Sequence, residues 1–231
     1  MMLSLGRRPG EHWTPYATRI LNAFGLVLLL VLATYSLESL TSYAGWSGVV
    51  IAVASSASAI AAFASSGLRP AVVRSGVAIG AIGILFAIVA ALSGDSTPLG
   101  ISALVQLLLI TVAAGVVLRA VITEPEVTFR TILGALSVYL MLGLLFTFLF
   151  IATDRLQGGP FFAGNPALHT GDYVFFSFTT LTTTGYGNLV PAAQPGKLFA
   201  GFEMLTGQIF LVTLIAGLVS LWKPRRHRGP S

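Results

Sequence analysis

Six apolar runs, each close to the length that crosses a bilayer, constrain this chain more than any other feature. They lie at about Thr18–Leu37, Trp46–Ser65, Ala71–Leu92, Leu99–Val121, Phe129–Ala152 and Lys197–Trp222. Each approaches the ~20 residues that a membrane helix needs. Composition agrees: 55% of residues are hydrophobic and 9% charged, too few polar side chains to cover a soluble surface. The sequence therefore predicts an all-α integral membrane protein. Cysteine is absent, which excludes a disulfide framework and a thiolate metal site.

Six spans place both termini on one side, and the basic residues assign that side. Arg7, Arg8, Arg19, Arg69, Arg74, Arg119, Arg130, Lys223, Arg225, Arg226 and Arg228 fall together, with Arg155 and Lys197 opposite. The positive-inside rule makes the richer side cytoplasmic. The stretch from Met1 to the first run has no apolar core and reads as a cytoplasmic leader rather than a cleaved signal peptide. The expected divisions are a leader over 1–17, a four-helix domain over 18–122, a linker over 123–128 broken at Pro125, a second module over 129–222 and a basic tail over 223–231. That tail is an anchor of topology or a site for anionic lipid.

Between the last two runs lies the polar stretch Thr182-Thr183-Thr184-Gly185-Tyr186-Gly187-Asn188. Gly185 and Gly187 can take backbone conformations that a Cβ forbids. Alternating such residues turns successive carbonyls to one side, where a row of oxygens replaces the water shell of a cation. The short run Asp172–Thr182 before it cannot span and suits a re-entrant helix buried by other protein. Asp154 to Thr170 is rich in Gly and Pro and reads as an outer turret. His169 within it is a solvated residue or a pH-sensitive one; neither His12 nor His227 supports a metal site.

Phe175 to Pro191, FFSFTTLTTTGYGNLVP, resembles the pore helix and selectivity filter of potassium channels, and the following GKLFAGFEMLTGQIFLVTLIAGLVSLW resembles the inner helix of small bacterial members of that family. The resemblance covers roughly the last hundred residues. It implies that carbonyls of Thr183, Thr184, Gly185 and Tyr186 line successive K+ sites, with the Thr183 hydroxyl completing the innermost and the Gly187 carbonyl at the outer entrance. It implies that Tyr186 braces the filter against the pore helix, that Gln208 and Leu211 face a cavity, and that Ile215 and Val219 narrow its cytoplasmic end. It also implies a homotetramer, since one segment cannot surround an ion, in a bacterial plasma membrane. K+ is then the permeant ion; no cofactor and no nucleic-acid partner is expected.

Three positions depart from the family pattern. Thr184 stands where Val is commonest, so its hydroxyl needs a partner. Asn188 replaces the usual Asp, and Thr179 takes the place of a glutamate found in some relatives; a neutral Thr179–Asn188 hydrogen bond is the expected substitute. Glu203, the one acid within a predicted span, is expected to hydrogen-bond pore-helix hydroxyls, with a proton-sensitive gate as the alternative. Gly207 is either a hinge or a packing contact.

The first four runs lack the charge ladder of a voltage sensor, because Leu99–Val121 holds a single arginine, Arg119. Their Ala, Gly and Ser, as in 52–59 and 76–83, suit close helix packing, with lipid or tension sensing as the functional alternative. The sequence thus points to passive, weakly voltage-dependent K+ conduction. Its competitors are a non-conducting scaffold or regulatory subunit, a weakly selective cation channel and, less favoured, a transporter without inverted repeats. No constellation of acid, base and nucleophile suggests an enzyme.

Overall fold

The computed structural model describes residues 15–40, 46–66, 69–124, 127–164 and 168–221. The expectations placed on Arg7, Arg8, His12, Pro125, Trp222, His227 and the basic tail from Lys223 lie outside them. The described chain is an all-α membrane protein. Its helices are α1 (Pro15–Leu40), α2 (Ser47–Ser65), α3 (Pro70–Ser93), α4 (Ser96–Ile122), α5 (Phe129–Leu156), α6 (Thr170–Leu181) and α7 (Gly196–Phe210), after which Leu211–Ile215 forms a π-helical turn and α8 (Ala216–Leu221) completes the run. Among the described residues, five stretches are long and apolar enough to cross a membrane: those in α2 to α5 and the composite Gly196–Ser220. The first predicted span falls in α1, whose described apolar side chains cover Gly25–Leu37.

Local chemistry sets the helix ends. Pro70 opens α3, where a missing N–H costs nothing; Gly94 closes it at φ 71°, the left-handed conformation glycine adopts without strain. The Asp95 carboxylate caps α4 by accepting from the Thr97 amide at 3.0 Å. Thr128 and Thr131 form a reciprocal capping box at the start of α5.

Three glycines of α3 are contact residues. A Cβ added at Gly76 would meet the Phe63 ring at 2.6 Å, one at Gly80 would meet Ser56 Oγ at 3.0 Å, and one at Gly83 would meet Gln106 Nε2 at 2.8 Å. Close approach brings polar groups into register across the interface. Buried Gln106 accepts from Ser55 Oγ at 3.1 Å and donates to the Ala52 carbonyl at 3.3 Å, and Ser102 donates to the Gly83 carbonyl at 2.9 Å. These bonds tie α2, α3 and α4 together, where an unpaired polar group would be costly.

α5 is the spine. In its apolar stretch 72% of residues are buried, against 22% in α3 and 17% in Gly196–Ser220. α4, α6 and α7 all pack against it, and α1 touches both α5 and α6. α4 therefore packs against α5, and α1 against α5 and α6, of their own chain. Tyr35 of α1 meets Phe178 of α6 edge-on at 4.6 Å between ring centroids, a direct contact between the two.

Candidate functional site

Three elements meet around the Thr182–Asn188 segment: α6, which leads into it, the turret, which pairs with the chain just beyond it, and α7, which reaches Thr183 through Gln208. An aromatic cluster fixes α6. Phe150 of α5, Phe161 and Phe162 of the turret, and Tyr173 and Phe176 of α6 are buried and interlock, with Phe161–Phe162 at 4.8 Å and Phe150–Phe176 at 5.0 Å between centroids. Such pairs add stabilisation beyond their buried area. Asp154 completes the clamp: its carboxylate accepts the Tyr173 hydroxyl at 2.6 Å and the Phe161 amide at 3.3 Å, with Arg155 Nε 3.5 Å away. Burial and then the Asp154 bond push the Tyr173 hydroxyl above its ordinary value, so it remains a donor. The turret also pairs with the chain beyond Asn188, as Ala163 donates to the Val190 carbonyl at 2.9 Å and Ala192 to the Phe161 carbonyl at 2.8 Å. His169 occupies the N-cap of α6 rather than a solvated loop; its backbone N–H donates to Asp172 at 2.7 Å.

Within the segment the backbone alternates. Thr183, Gly185 and Gly187 have φ of 57°, 50° and 80°, while Thr184 and Tyr186 between them are not left-handed. Thr183 is the one described non-glycine residue with positive φ, a conformation costing an L-residue about 1 kcal/mol or more. The N–H groups turn back into the protein. Those of Thr182, Thr183, Thr184 and Gly185 donate to the carbonyls of Phe178, Thr180, Thr179 and again Thr179, at 3.1, 2.9, 2.8 and 3.1 Å. The end carbonyls of α6 are thereby satisfied. No described donor takes the carbonyls of residues 183–187, and all five residues are exposed.

The side chains brace this backbone. The Tyr186 ring stacks on Phe175 of α6, with centroids 5.6 Å apart and planes 17° from parallel. Thr184 finds its hydroxyl partner in Thr182, at 2.9 Å. The Thr179–Asn188 bond predicted from sequence is not formed. The Thr179 hydroxyl donates to the Phe176 carbonyl at 3.0 Å instead, because a short side chain on a helix reaches its own preceding turn more readily than a loop nine residues on.

Beneath the segment, α7 comes close to α6. A methyl added at Gly207 would overlap the Leu181 carbonyl oxygen and sit 2.9 Å from Leu181 Cδ1. Gly207 is thus a close-approach residue inside an unbroken α-helix, and the irregular backbone begins four residues later, in the π turn. The extra residue of that turn rotates the side chains beyond it about the helix axis. Val212 is 68% exposed while Leu211 is half-buried, and Ile215, predicted to narrow the pathway, packs against the core; Val219 is exposed. Gln208 is exposed, and its Nε2 donates to Thr183 Oγ1 at 3.1 Å.

Glu203 is fully buried. Its Oε1 lies 2.5 Å from Ser177 Oγ, which is also 2.7 Å from the Gly143 carbonyl, while Oε2 has no partner among the described residues. Ser177 has one hydrogen for these two acceptors. A neutral group at position 203, bringing a hydrogen of its own, satisfies the junction of α5, α6 and α7 where a carboxylate leaves one contact unmade. The sequence marked Glu203 but not Ser177, nor the Asp154–Tyr173 clamp.

A helix that ends below a loop of unclaimed carbonyls, backed by a second helix, is the arrangement the comparisons with known proteins speak to. Residues 161–222 match the family model described as ion channel. In a curated protein of Oryza sativa subsp. japonica, two pore potassium channel c, 85 residues are 34% identical to this chain. The alignment covers 33% of this chain and 19% of that protein, so the chain spans about a fifth of the relative's length. Both similarities are to channels and not to enzymes.

Proposed function

We propose that this chain is a potassium-selective channel in which four copies surround a pathway lined by Thr183, Thr184, Gly185, Tyr186 and Gly187. The observation that carries this reading is the alternation of φ along residues 183–187 together with carbonyls that no described protein donor uses. With the N–H groups of Thr183, Thr184 and Gly185 held by α6, the oxygens left open are what a cation needs in place of its hydration shell. The α6 carbonyl end, the Tyr186–Phe175 stack and the Phe cluster hold those oxygens in place.

The tetramer is supported by α7. Leu198, Phe202, Leu205 and Ile209 of α7 recur at alternating intervals of four and three residues, each more than half exposed, and so form a continuous apolar face. In a ring of four copies such a face packs against its neighbour. Six spans with both termini cytoplasmic, domain divisions at 18–122 and 129–222, and a bacterial plasma membrane complete the proposal. Gating by voltage is not part of it, because α4 carries only Arg119, in its last turn. Chemical cross-linking of the purified protein, followed by ion flux into liposomes with K+ or Na+ outside, tests the reading. A tetramer passing K+ faster than Na+ supports it; a folded tetramer passing both equally replaces it with a weakly selective cation channel, and a monomer without flux replaces it with a scaffold.

A further inference from the structure

We propose that Gln208 sets the cation affinity of the innermost filter site by competing with the ion for the Thr183 hydroxyl oxygen. This inference rests on the reading of residues 183–187 as the ion pathway. Its starting point is a contact across the two elements: Gln208 Nε2 of α7 reaches Thr183 Oγ1 at 3.1 Å. The fold delivers this contact through the preceding residue. Without a Cβ at Gly207, α7 lies against the Leu181 backbone at the end of α6, and the next side chain along is then within reach of Thr183.

The chemistry of the pair is unequal. A hydroxyl offers two lone pairs and one hydrogen, and a cation at the innermost site needs a lone pair turned towards it. An amide N–H occupies a lone pair and directs the positive end of its dipole at the same oxygen. Ion binding at Thr183 is therefore weakened as long as the Gln208 carboxamide donates to that oxygen, and is strongest when the carboxamide withdraws or turns its oxygen inward. The cost of either change opposes occupancy of that site. A leucine in place of Gln208 keeps the volume, removes the donor and leaves the hydroxyl free.

Barium, a divalent cation close to potassium in size, reports the affinity without requiring conduction. It would be titrated calorimetrically into the purified full-length protein in potassium-free buffer. Gln208→Leu is expected to tighten binding about threefold to tenfold, the range expected for losing one competing hydrogen bond. Gln208→Asn, one methylene shorter and unable to reach Thr183, should tighten it in the same direction and covers the event that leucine misfolds. Introduced into a Thr183→Val background, Gln208→Leu should change affinity by less than about twofold, since the contested oxygen is gone. Unchanged or weaker binding in both Gln208 variants overturns the inference while leaving the pathway intact. Equal tightening with and without the Thr183 hydroxyl also overturns it, by placing the effect elsewhere in the cavity. A folded wild-type protein that binds neither barium nor potassium removes the pathway reading itself, and this inference with it.

Discussion

Replacing Gly207 by alanine separates a packing role from a hinge role, because the two predict opposite signs of stability. In an open helix, Gly→Ala stabilises by up to about 1 kcal/mol through helix propensity. At Gly207 the new methyl overlaps the Leu181 carbonyl oxygen, a backbone atom that cannot rotate away, and lies 2.9 Å from Leu181 Cδ1. Relief requires α7 and the end of α6 to part by a distance on the order of an ångström, and overpacking of this kind costs about 1–3 kcal/mol, at the upper end where backbone must move. The net result is a destabilisation of about 1–2 kcal/mol per chain, together with loss of the Gln208–Thr183 contact. Gly115 in α4 supplies the control, because a Cβ there meets nothing within 4 Å. Thermal unfolding in detergent, followed by helical circular dichroism, should show a midpoint lowered by Gly207→Ala and unchanged or raised by Gly115→Ala. A midpoint raised by both would refute the packing argument. A raised midpoint with lost ion flux in Gly207→Ala would instead identify a hinge.

Other substitutions test the neighbouring contacts. Glu203→Gln keeps volume and brings a hydrogen to Ser177, so its melting midpoint should stay near wild type; Glu203→Ala loses that bond and opens a cavity, for a cost of about 2–4 kcal/mol, and equal melting of the two would contradict the junction described. Tyr173→Phe removes the donor to Asp154 and should destabilise by about 1–2 kcal/mol without changing the preference for K+ over Na+ in liposomes; altered selectivity would show that the clamp shapes the filter directly. Gly185→Ala and Gly187→Ala force an L-residue to φ of 50° and 80° and should abolish flux while leaving a folded protein; retained flux in both would mean that the alternating backbone is not the conducting form. Gln106→Leu strips Ser55 and Ser56 of a partner in the front helices and should cost about 0.6 kcal/mol for each lost bond, with selectivity unchanged; a selectivity change would make the front domain part of the pathway.

Much of this architecture was legible in the sequence because a bilayer leaves few choices. Apolar length locates α2 to α5, and the glycine spacing at 76, 80 and 83 announces close packing, although only the structure shows that Phe63, Ser56 and Gln106 fill those gaps. The Thr-Gly-Tyr-Gly stretch was legible for the same reason, since positive φ at Gly185 and Gly187 is what glycine permits. Positive φ at Thr183 was not, because nothing in a threonine signals a conformation imposed by the N–H bonds back to α6. The π turn at Leu211–Ile215 was also hidden, because it arises in an ordinary apolar run; Ile215 at its end lies partly buried against the core. The Thr179–Asn188 bond failed because spacing cannot weigh a distant partner against the carbonyl one turn back. The links Glu203–Ser177, Tyr173–Asp154 and Gln208–Thr183 join residues between 19 and 26 positions apart, a pairing that no local pattern encodes.

Selectivity for K+ shows most directly in the reversal potential of the purified protein in a planar bilayer, with K+ on one side and Na+ at equal concentration on the other. The potential should be displaced far towards the potassium equilibrium, and the current should be lost in Gly185→Ala. A reversal potential near zero from a conducting wild-type protein would contradict that selectivity.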